Sequence, residues 1–120
     1  MPRFSETPTE PVTVTANLLR EWPLPAAADS KYGRGQVVIV GGASRSPGAA
    51  MLAGVAALRV GAGRLTLAIG GSVAAQVAVA VPECGVIPLD ETSDGHVSGS
   101  AIERAGSDLA NADIVVIGPG

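Results

Sequence analysis

Cysteine, histidine and aromatic residues are scarce in this chain. Cys84 is the single cysteine and His96 the single histidine, and the aromatic residues are Phe4, Trp22 and Tyr32. One cysteine excludes an internal disulfide and a cysteine metal cluster, and one histidine in a polar segment gives no support to a Ser-His-Asp triad. Because Cys84 stands in an apolar stretch, we predict a buried, unreactive thiol there.

The chain also lacks a concentrated positive charge and a long apolar run. Its 8 lysine and arginine residues form no dense cluster, and the net charge is −3, which argues against nucleic acid as a partner. No basic segment followed by an apolar one opens the sequence, so no signal peptide is predicted. The longest apolar helix is interrupted by Gly54 and Arg59 and is shorter than the roughly 20 residues that cross a bilayer. We therefore expect a cytoplasmic protein without a membrane partner.

Strands alternate regularly with helices in the larger part of the sequence. Residues 1–30 are predicted to form a polar tail and a short helix, Ala16–Glu21, with Thr15 as its N-cap. Residues 31–120 are predicted to form one α/β unit. The predicted strands and helices of this unit are Gln36–Val40, Gly48–Val60, Leu65–Ile69, Ser72–Val81, Cys84–Leu89, a helix after Ser100, and Asp113–Ile117. Such an order predicts a parallel sheet with helices on both faces.

The segment boundaries carry recognisable end signals. Ser72 and Ser100 are predicted N-caps, and the Gly61-Ala62-Gly63 turn is a predicted helix C-cap. The continuous apolar runs of the first and fourth strands predict that both strands are buried. The polar segment 90–99, with its carboxylates Asp90, Glu91 and Asp94, is interpreted as a solvated loop.

The loop Gly41–Gly48, between the first strand and its helix, is rich in glycine. A P-loop would need a Gly-x-x-x-x-Gly-Lys-Ser/Thr sequence, but five residues separate Gly42 from Gly48 and Ala49 stands where the lysine would be. A dinucleotide fingerprint would need Gly-x-Gly-x-x-Gly and an acidic residue about 20 positions later, and both are missing. Neither of these two phosphate motifs is present.

A strand-to-helix loop of this kind has two interpretations. Its amide groups could face an anion at the helix N-terminus, with hydroxyl groups from Ser44 and Ser46 and a phosphate contact from Arg45. The alternative is a tight turn without a ligand. Because ligands bind at the carboxyl ends of parallel strands, Gly41–Gly48 and Gly118–Gly120 are the two loops that qualify by composition.

Several residue series in the α/β unit resemble the ADP/ATP-dependent NAD(P)H-hydrate dehydratase family. They are Lys31 to Ser44, Pro47 to Gly54, Ala56 to Thr66, Val81-Pro82-Glu83 and Ile117-Gly118-Pro119-Gly120. The resemblance covers about Lys31 to Gly120. It implies a ribokinase-like three-layer α/β/α sandwich, of which this chain would be the amino-terminal half.

The resemblance also implies an activity. Enzymes of that family dehydrate the S epimer of hydrated NADH or NADPH and consume ADP or ATP with Mg²⁺. Phosphorylation of the hydrate hydroxyl turns it into a good leaving group, and elimination follows. The implied partners are the small-molecule substrate and the nucleotide, and relatives are often homo-oligomers.

The residues that match the family's hydrate site are small. The resemblance implies substrate contacts at Ala49, Gly120 and Gly118, with Gly42 and Ser44 lining the same loop. The family's catalytic aspartate lies in a Gly-x-Gly-Asp motif of the carboxyl-terminal half, as do most nucleotide contacts, and these 120 residues contain neither. The chain alone is therefore predicted to hold no catalytic and no metal-binding residue.

Two other functions remain open from the sequence. A sugar or hydroxymethyl-pyrimidine kinase of the same superfamily would share the fold but would differ in its amino-terminal loops. A non-catalytic binding or assembly half would fit the apolar last strand and the missing catalytic residues.

Overall fold

The computed structural model describes residues 11–21, 26 and 28–118, so the predicted tail at residues 1–10 lies outside the described residues. The elements in chain order are α1 (Ala16–Glu21), β1 (Gln36–Val40), α2 (Gly48–Arg59), β2 (Arg64–Gly70), α3 (Ala74–Ala80), β3 (Cys84–Leu89), a 3₁₀ helix (Gly99–Ala105), α4 (Gly106–Ala110) and β4 (Ile114–Ile117). This order confirms the predicted alternation. Within the described ranges, no helix has the length and apolar content needed to cross a membrane.

The four strands form one parallel sheet in the order β3-β2-β1-β4. Val38 of β1 is in register with Thr66 on one side and with Val115 on the other. All three strand pairs are parallel, so every strand ends at the same edge of the sheet. The predicted parallel sheet is confirmed.

Helices pack on both faces of the sheet, as predicted. On one face, α2 and α3 cover a cluster that includes Ile39, Leu67 and Ile69, all fully buried. On the other face, Ala101 and Ala105 of the 3₁₀ helix and Leu109 of α4 pack against Ala68 and Leu89 of the strands. The result is a three-layer α/β/α arrangement.

Helix α2 lies unusually close to the sheet because of Gly54. A Cβ atom at this position would stand 2.9 Å from Leu65 Cδ2 and 3.1 Å from Leu67 Cδ2. The leucine side chains of β2 therefore occupy the space that any other residue would need. The small alanine side chains of α2 also let the helix pack closely on the sheet, and Ala50 among them is fully buried.

The fourth strand corrects a sequence-based prediction. All four residues of β4 are exposed, from Val116 at 38% to Ile117 at 81%. The strand pairs with β1 only, and within the described residues no helix covers its faces. An apolar run predicts burial only when other elements lie on both sides, and the run itself does not say whether they do.

The predicted helix caps differ in outcome. The Leu18 amide donates to Thr15 Oγ1 at 3.2 Å, so Thr15 caps α1 as predicted. Ser72 does not cap α3, because α3 begins after Val73. The Ser72 hydroxyl donates to Glu91. Ser100 is also wrong as a cap, since the helix there starts as a 3₁₀ turn at Gly99.

The end of α2 is a Schellman motif, which confirms the predicted glycine C-cap. Gly61 has a φ of +112°, its amide donates to the Leu58 carbonyl at 3.1 Å, and the Ala62 amide donates to the Ala57 carbonyl at 3.0 Å. These two bonds satisfy carbonyl groups that the helix end would leave unpaired.

We expect Gly61→Ala to lower the free energy of unfolding by about 1 kcal/mol, because alanine is strained in the left-handed region. Urea denaturation followed by circular dichroism would measure the change. Gly106→Ala is the matched control, since Gly106 has a φ of −53° and an added Cβ would enter open space. Equal losses in the two variants would contradict this assignment.

Cys84 is half-buried at the start of β3. Its thiol donates to the Val81 carbonyl at 3.0 Å. Burial raises the pKa of the Cys84 thiol, so the nucleophilic thiolate is disfavoured at neutral pH. The predicted low reactivity of the thiol stays a prediction, and the side chain is less deeply buried than the sequence indicated.

Candidate functional site

The strand order reverses at β1. The chain passes from β1 to β2 and β3 on one side, and β4 returns to the other side of β1. In parallel α/β sheets this switch point opens a crevice at the carboxyl ends of the strands, where ligands bind. The segments that leave β1 and β4 are the two glycine-rich loops identified in the sequence. The topology therefore brings the loop after β1 and Gly118 to the same edge of the sheet.

The segment Gly41–Pro47, here called the β1–α2 loop, is held to the neighbouring strand end. The Gly41 amide donates to the Ala68 carbonyl and the Gly70 amide donates to the Gly42 carbonyl, both at 3.1 Å. Gly42 is buried with a φ of +79°, and an added Cβ would lie 3.3 Å from Ala50 Cβ and 3.4 Å from Ile69 Cγ2. Gly42 therefore serves the sharp turn, and its predicted substrate contact stays a prediction.

The N-terminus of α2 opens at the same edge. Gly48 and Ala49 are exposed, Pro47 provides no side-chain cap, and no acidic residue stands in the first turn. The first amide groups of a helix have no partner within the helix and carry the positive end of its dipole. Ala49 is thus placed where a small side chain leaves these amide groups accessible.

A hairpin formed by residues 91–97, here called the 91–97 hairpin, contacts the β1–α2 loop. Glu91 and Val97 form an antiparallel bridge, and the Thr92 amide donates to the His96 carbonyl at 2.8 Å. The Ser44 amide donates to the Gly95 carbonyl at 3.1 Å. Ser44 is therefore held by the tip of the hairpin, while His96 is exposed on the surface.

Glu91 corrects the interpretation of segment 90–99 as a solvated loop. Its carboxylate accepts the Ser72 amide at 2.8 Å and the Ser72 hydroxyl at 3.0 Å. The Glu91 carboxylate also packs against the backbone of Gly70, where an added Cβ would be 2.5 Å from Glu91 Oε1. Asp90, by contrast, is exposed and forms a surface ion pair with Arg104 at 2.8 Å.

The residue that follows β4, Gly118, lies beside the last residue of β1. The Gly118 amide donates to the Val40 carbonyl at 2.8 Å, and Gly118 has a φ of +92°. An added Cβ at Gly118 would meet no atom within 4 Å. Gly118 is thus part of the switch-point edge, whereas the predicted contact Gly120 lies outside the described residues.

The Mg²⁺ that the resemblance implies finds no ligand set here. Within the described ranges, no three His, Cys, Asp or Glu side chains are placed to hold a metal ion. Glu91 lies at this edge, but both of its oxygens already accept hydrogen bonds from Ser72. One carboxylate does not make a ligand set, so these described residues do not fit a bound Mg²⁺, which takes six oxygen ligands from carboxylates, water and phosphates.

Two cavities lie at the opposite edge, where the strands begin. One, of about 380 Å³, is lined by polar residues that already pair with each other, including Arg64 and Asp108 at 3.6 Å. The other, of about 630 Å³, is a gap between α2 and the exposed strand β4, lined by Val60, Ile114 and Val116. Both lie away from the carboxyl ends of the strands, so the switch-point edge remains the candidate site.

Sequence reasoning missed Glu91 and Gly95 as parts of this edge. The Asp94-Gly95 pair is a turn signal, and the segment directly follows a predicted strand end. Those two signals together would have placed a turn at the carboxyl edge of the sheet. The contact between Gly95 and Ser44 joins residues 51 positions apart and is visible only in the tertiary structure.

The fold resembles solved structures. A ribokinase-like superfamily protein from Enterococcus faecalis superposes with a TM-score of 0.63 at 23% identity, covering 82% of this chain and 31% of that one. An ADP/ATP-dependent NAD(P)H-hydrate dehydratase from Bacillus subtilis, co-crystallised with ATP and Mg²⁺, gives 0.51 at 22% identity, covering 79% and 40%. These likenesses confirm the ribokinase-like fold class.

Sequence comparison is more specific. A relative named ADP-dependent (S)-NAD(P)H-hydrate dehydratase, from Xanthomonas campestris pv. campestris, is 50% identical over 110 residues. The match covers 90% of this chain and 37% of that protein, so the chain spans little more than a third of the relative's length. The profile of the family described as NAD(P)H-hydrate dehydratase matches residues 37–120. The chain belongs to the NAD(P)H-hydrate dehydratase family.

Proposed function

We propose that this chain is the amino-terminal part of an ADP-dependent (S)-NAD(P)H-hydrate dehydratase and forms one side of its hydrate site. The observation that carries the proposal is that the β1–α2 loop and Gly118 leave the sheet at the same edge, at its switch point, where the Gly118 amide donates to the Val40 carbonyl. Family membership and the 50% identity to the Xanthomonas campestris protein support it. The substrate is hydrated NADH or NADPH, and the nucleotide is ADP, with ATP as the alternative.

The residues at this edge act on the hydrate by binding it. Hydrated NADH and NADPH carry a diphosphate, and the accessible amide groups at the start of α2 attract such an anion. The small side chain of Ala49 lets the substrate approach the helix backbone. Gly118 leaves space on the β4 side, and Ser44 adds a hydroxyl group. Gly120 is a contact that the family resemblance implies. None of these side chains can abstract a proton at neutral pH.

Phosphoryl transfer and elimination are assigned to groups outside residues 31–118. The catalytic aspartate, the nucleotide site and Mg²⁺ belong to the part of the family's length that these 120 residues do not include. The nucleotide supplies the phosphoryl group that makes the hydrate hydroxyl a leaving group. The 120-residue chain therefore binds without turning over.

A chimera tests the proposal directly. Residues 1–120 replace the corresponding segment of the Xanthomonas campestris relative, and the recovery of NADPH from its hydrate is followed in the presence of ADP. We expect activity within about tenfold of the parent, because 50% identity preserves the packing of the sheet. The isolated chain is expected to show no turnover under the same conditions.

Two outcomes would contradict this function. A folded chimera without ADP-dependent activity would show that these residues do not complete the hydrate site. Turnover by the isolated chain would show that the catalytic group lies within the 120 residues.

The proposal extends to location and assembly. We place the protein in the cytoplasm, where its substrates are made and where a single thiol stays reduced. We also propose a homo-oligomer, because members of the family that the sequence resembles are often homo-oligomers. Sedimentation equilibrium of the chimera and of its parent would compare their oligomeric states, and a monomeric parent would contradict the second proposal.

A further inference from the structure

We infer that the 91–97 hairpin is a positioning element of the hydrate site, which sets the β1–α2 loop through Gly95 and is itself anchored by Glu91. The inference rests on the proposed function. It concerns residues that do not touch the reacting atoms and act through Ser44 and through the start of α3.

The tip of the hairpin leaves no room between Gly95 and Ser44. A Cβ atom added to Gly95 would overlap Ser44 Oγ, and Gly95 adopts a φ of +81°. The Gly95 carbonyl accepts the Ser44 amide at 3.1 Å. Ser44 is therefore fixed both by a hydrogen bond to its backbone and by contact with its side chain. The β1–α2 loop cannot shift toward β3 without displacing the hairpin.

The base of the hairpin is fixed by Glu91. Its carboxylate bridges to the amide and the hydroxyl group of Ser72, just before α3. Glu91 Oε1 also fills the space beside Gly70, whose amide donates to the Gly42 carbonyl at 3.1 Å. Glu91 thus connects the hairpin to the same strand end that supports the β1–α2 loop.

The Asp90 backbone also fixes the base of the 91–97 hairpin. The Ser98 amide donates to the Asp90 carbonyl at 2.8 Å, so both arms of the hairpin are tied together at their base. A hairpin with a fixed base and a packed tip can hold a neighbouring loop in one position. Misplacing a binding loop by about 1 Å can cost up to 10²-fold in rate.

Gly95→Ala in the active chimera tests the tip. We expect the KM for the hydrate to rise about tenfold, with kcat and the KM for ADP changed less than about threefold, because only Ser44 and its loop move. Gly99→Ala is the matched control, since Gly99 lies in the next turn and an added Cβ would meet no atom within 4 Å. An equal rise in both KM values would indicate a general structural defect and overturn the inference.

A double variant separates displacement from backbone strain. Ser44→Ala removes the hydroxyl group that the new methyl group would overlap, while the strain at Gly95 remains. The KM of Ser44→Ala with Gly95→Ala should therefore lie within about threefold of Ser44→Ala alone. Independent, multiplying effects of the two substitutions would overturn the inference.

Glu91 provides a test that does not depend on Gly95. Glu91→Ala removes both bonds to Ser72 and should raise the KM for the hydrate. Glu91→Gln keeps an acceptor oxygen, so its KM should lie close to that of the unsubstituted chimera. Equal KM values in Glu91→Ala and the unsubstituted chimera would overturn the inference. An unsubstituted chimera without activity would instead overturn the proposed function.

Discussion

Replacing Gly54 with leucine is expected to destabilise the α/β unit more than any other single change considered for it. A Cβ at this position would already stand 2.9 Å from Leu65 Cδ2, and both leucine side chains around it are buried in the main core. A leucine would force α2 away from β2. Overpacking of this kind costs about 3 kcal/mol, a large fraction of the 5–15 kcal/mol that typically stabilises a domain.

Substitutions of increasing size test whether overpacking between α2 and β2 causes the loss of stability. Gly54→Ala gains about 1 kcal/mol of helix propensity but meets the same leucine atoms, so its net effect should be smaller than that of Gly54→Leu. Gly48→Ala lies in the same helix, and its Cβ would enter open space, so it should lose nothing. Urea denaturation measures all three variants. If Gly54→Leu unfolds at the urea concentration of the unsubstituted chain, the close packing of α2 on β2 is wrong.

Replacing Ala49 with glutamate is expected to have opposite effects on stability and on hydrate binding. A carboxylate in the first turn of α2 interacts favourably with the helix dipole and should stabilise the fold by about 0.5 kcal/mol. The same charge would repel the diphosphate of the hydrate. At a distance of a few ångströms this repulsion should weaken hydrate binding about tenfold or more. A misfolded variant could not gain stability while losing affinity.

Ala56→Glu is the matched control for this prediction. Ala56 is exposed on the same helix and lies about 10 Å further along its axis, where salt screens most of the interaction. Calorimetric titration of each chimera with NADPH hydrate, and separately with ADP, would measure the affinities. An unchanged hydrate affinity in Ala49→Glu would show that the substrate does not reach the start of α2.

Local sequence signals determined most of the secondary structure. The apolar run Gln36–Val40 predicted β1 to the residue, and Thr15 predicted the start of α1. Gly61 predicted the end of α2, because the left-handed backbone of a Schellman motif depends on a single residue type. Such features arise from contacts between near neighbours, and the residues that make them stand next to each other in the sequence.

The sequence also predicted the edge of the sheet at which a ligand would bind. Parallel strands end together, so the glycines after β1 and β4 had to lie at the same edge once the strands were parallel. The family resemblance, carried by long residue series, added the type of substrate. The resemblance also assigned a substrate contact to Ala49, although a methyl side chain by itself does not indicate a binding role.

Tertiary structure alone decided three features. Within the described residues, β4 pairs with β1 alone and its side chains are exposed, although its composition equals that of a buried strand. Ser72 is a partner of Glu91, 19 positions away, and not a helix cap, because α3 begins only after Val73. Gly95 met Ser44 because β3 and its hairpin return to the switch-point edge. Hydrophobic patterns and residue propensities reflect interactions between residues that are close in sequence. These contacts depend instead on which strands and helices lie side by side in the fold.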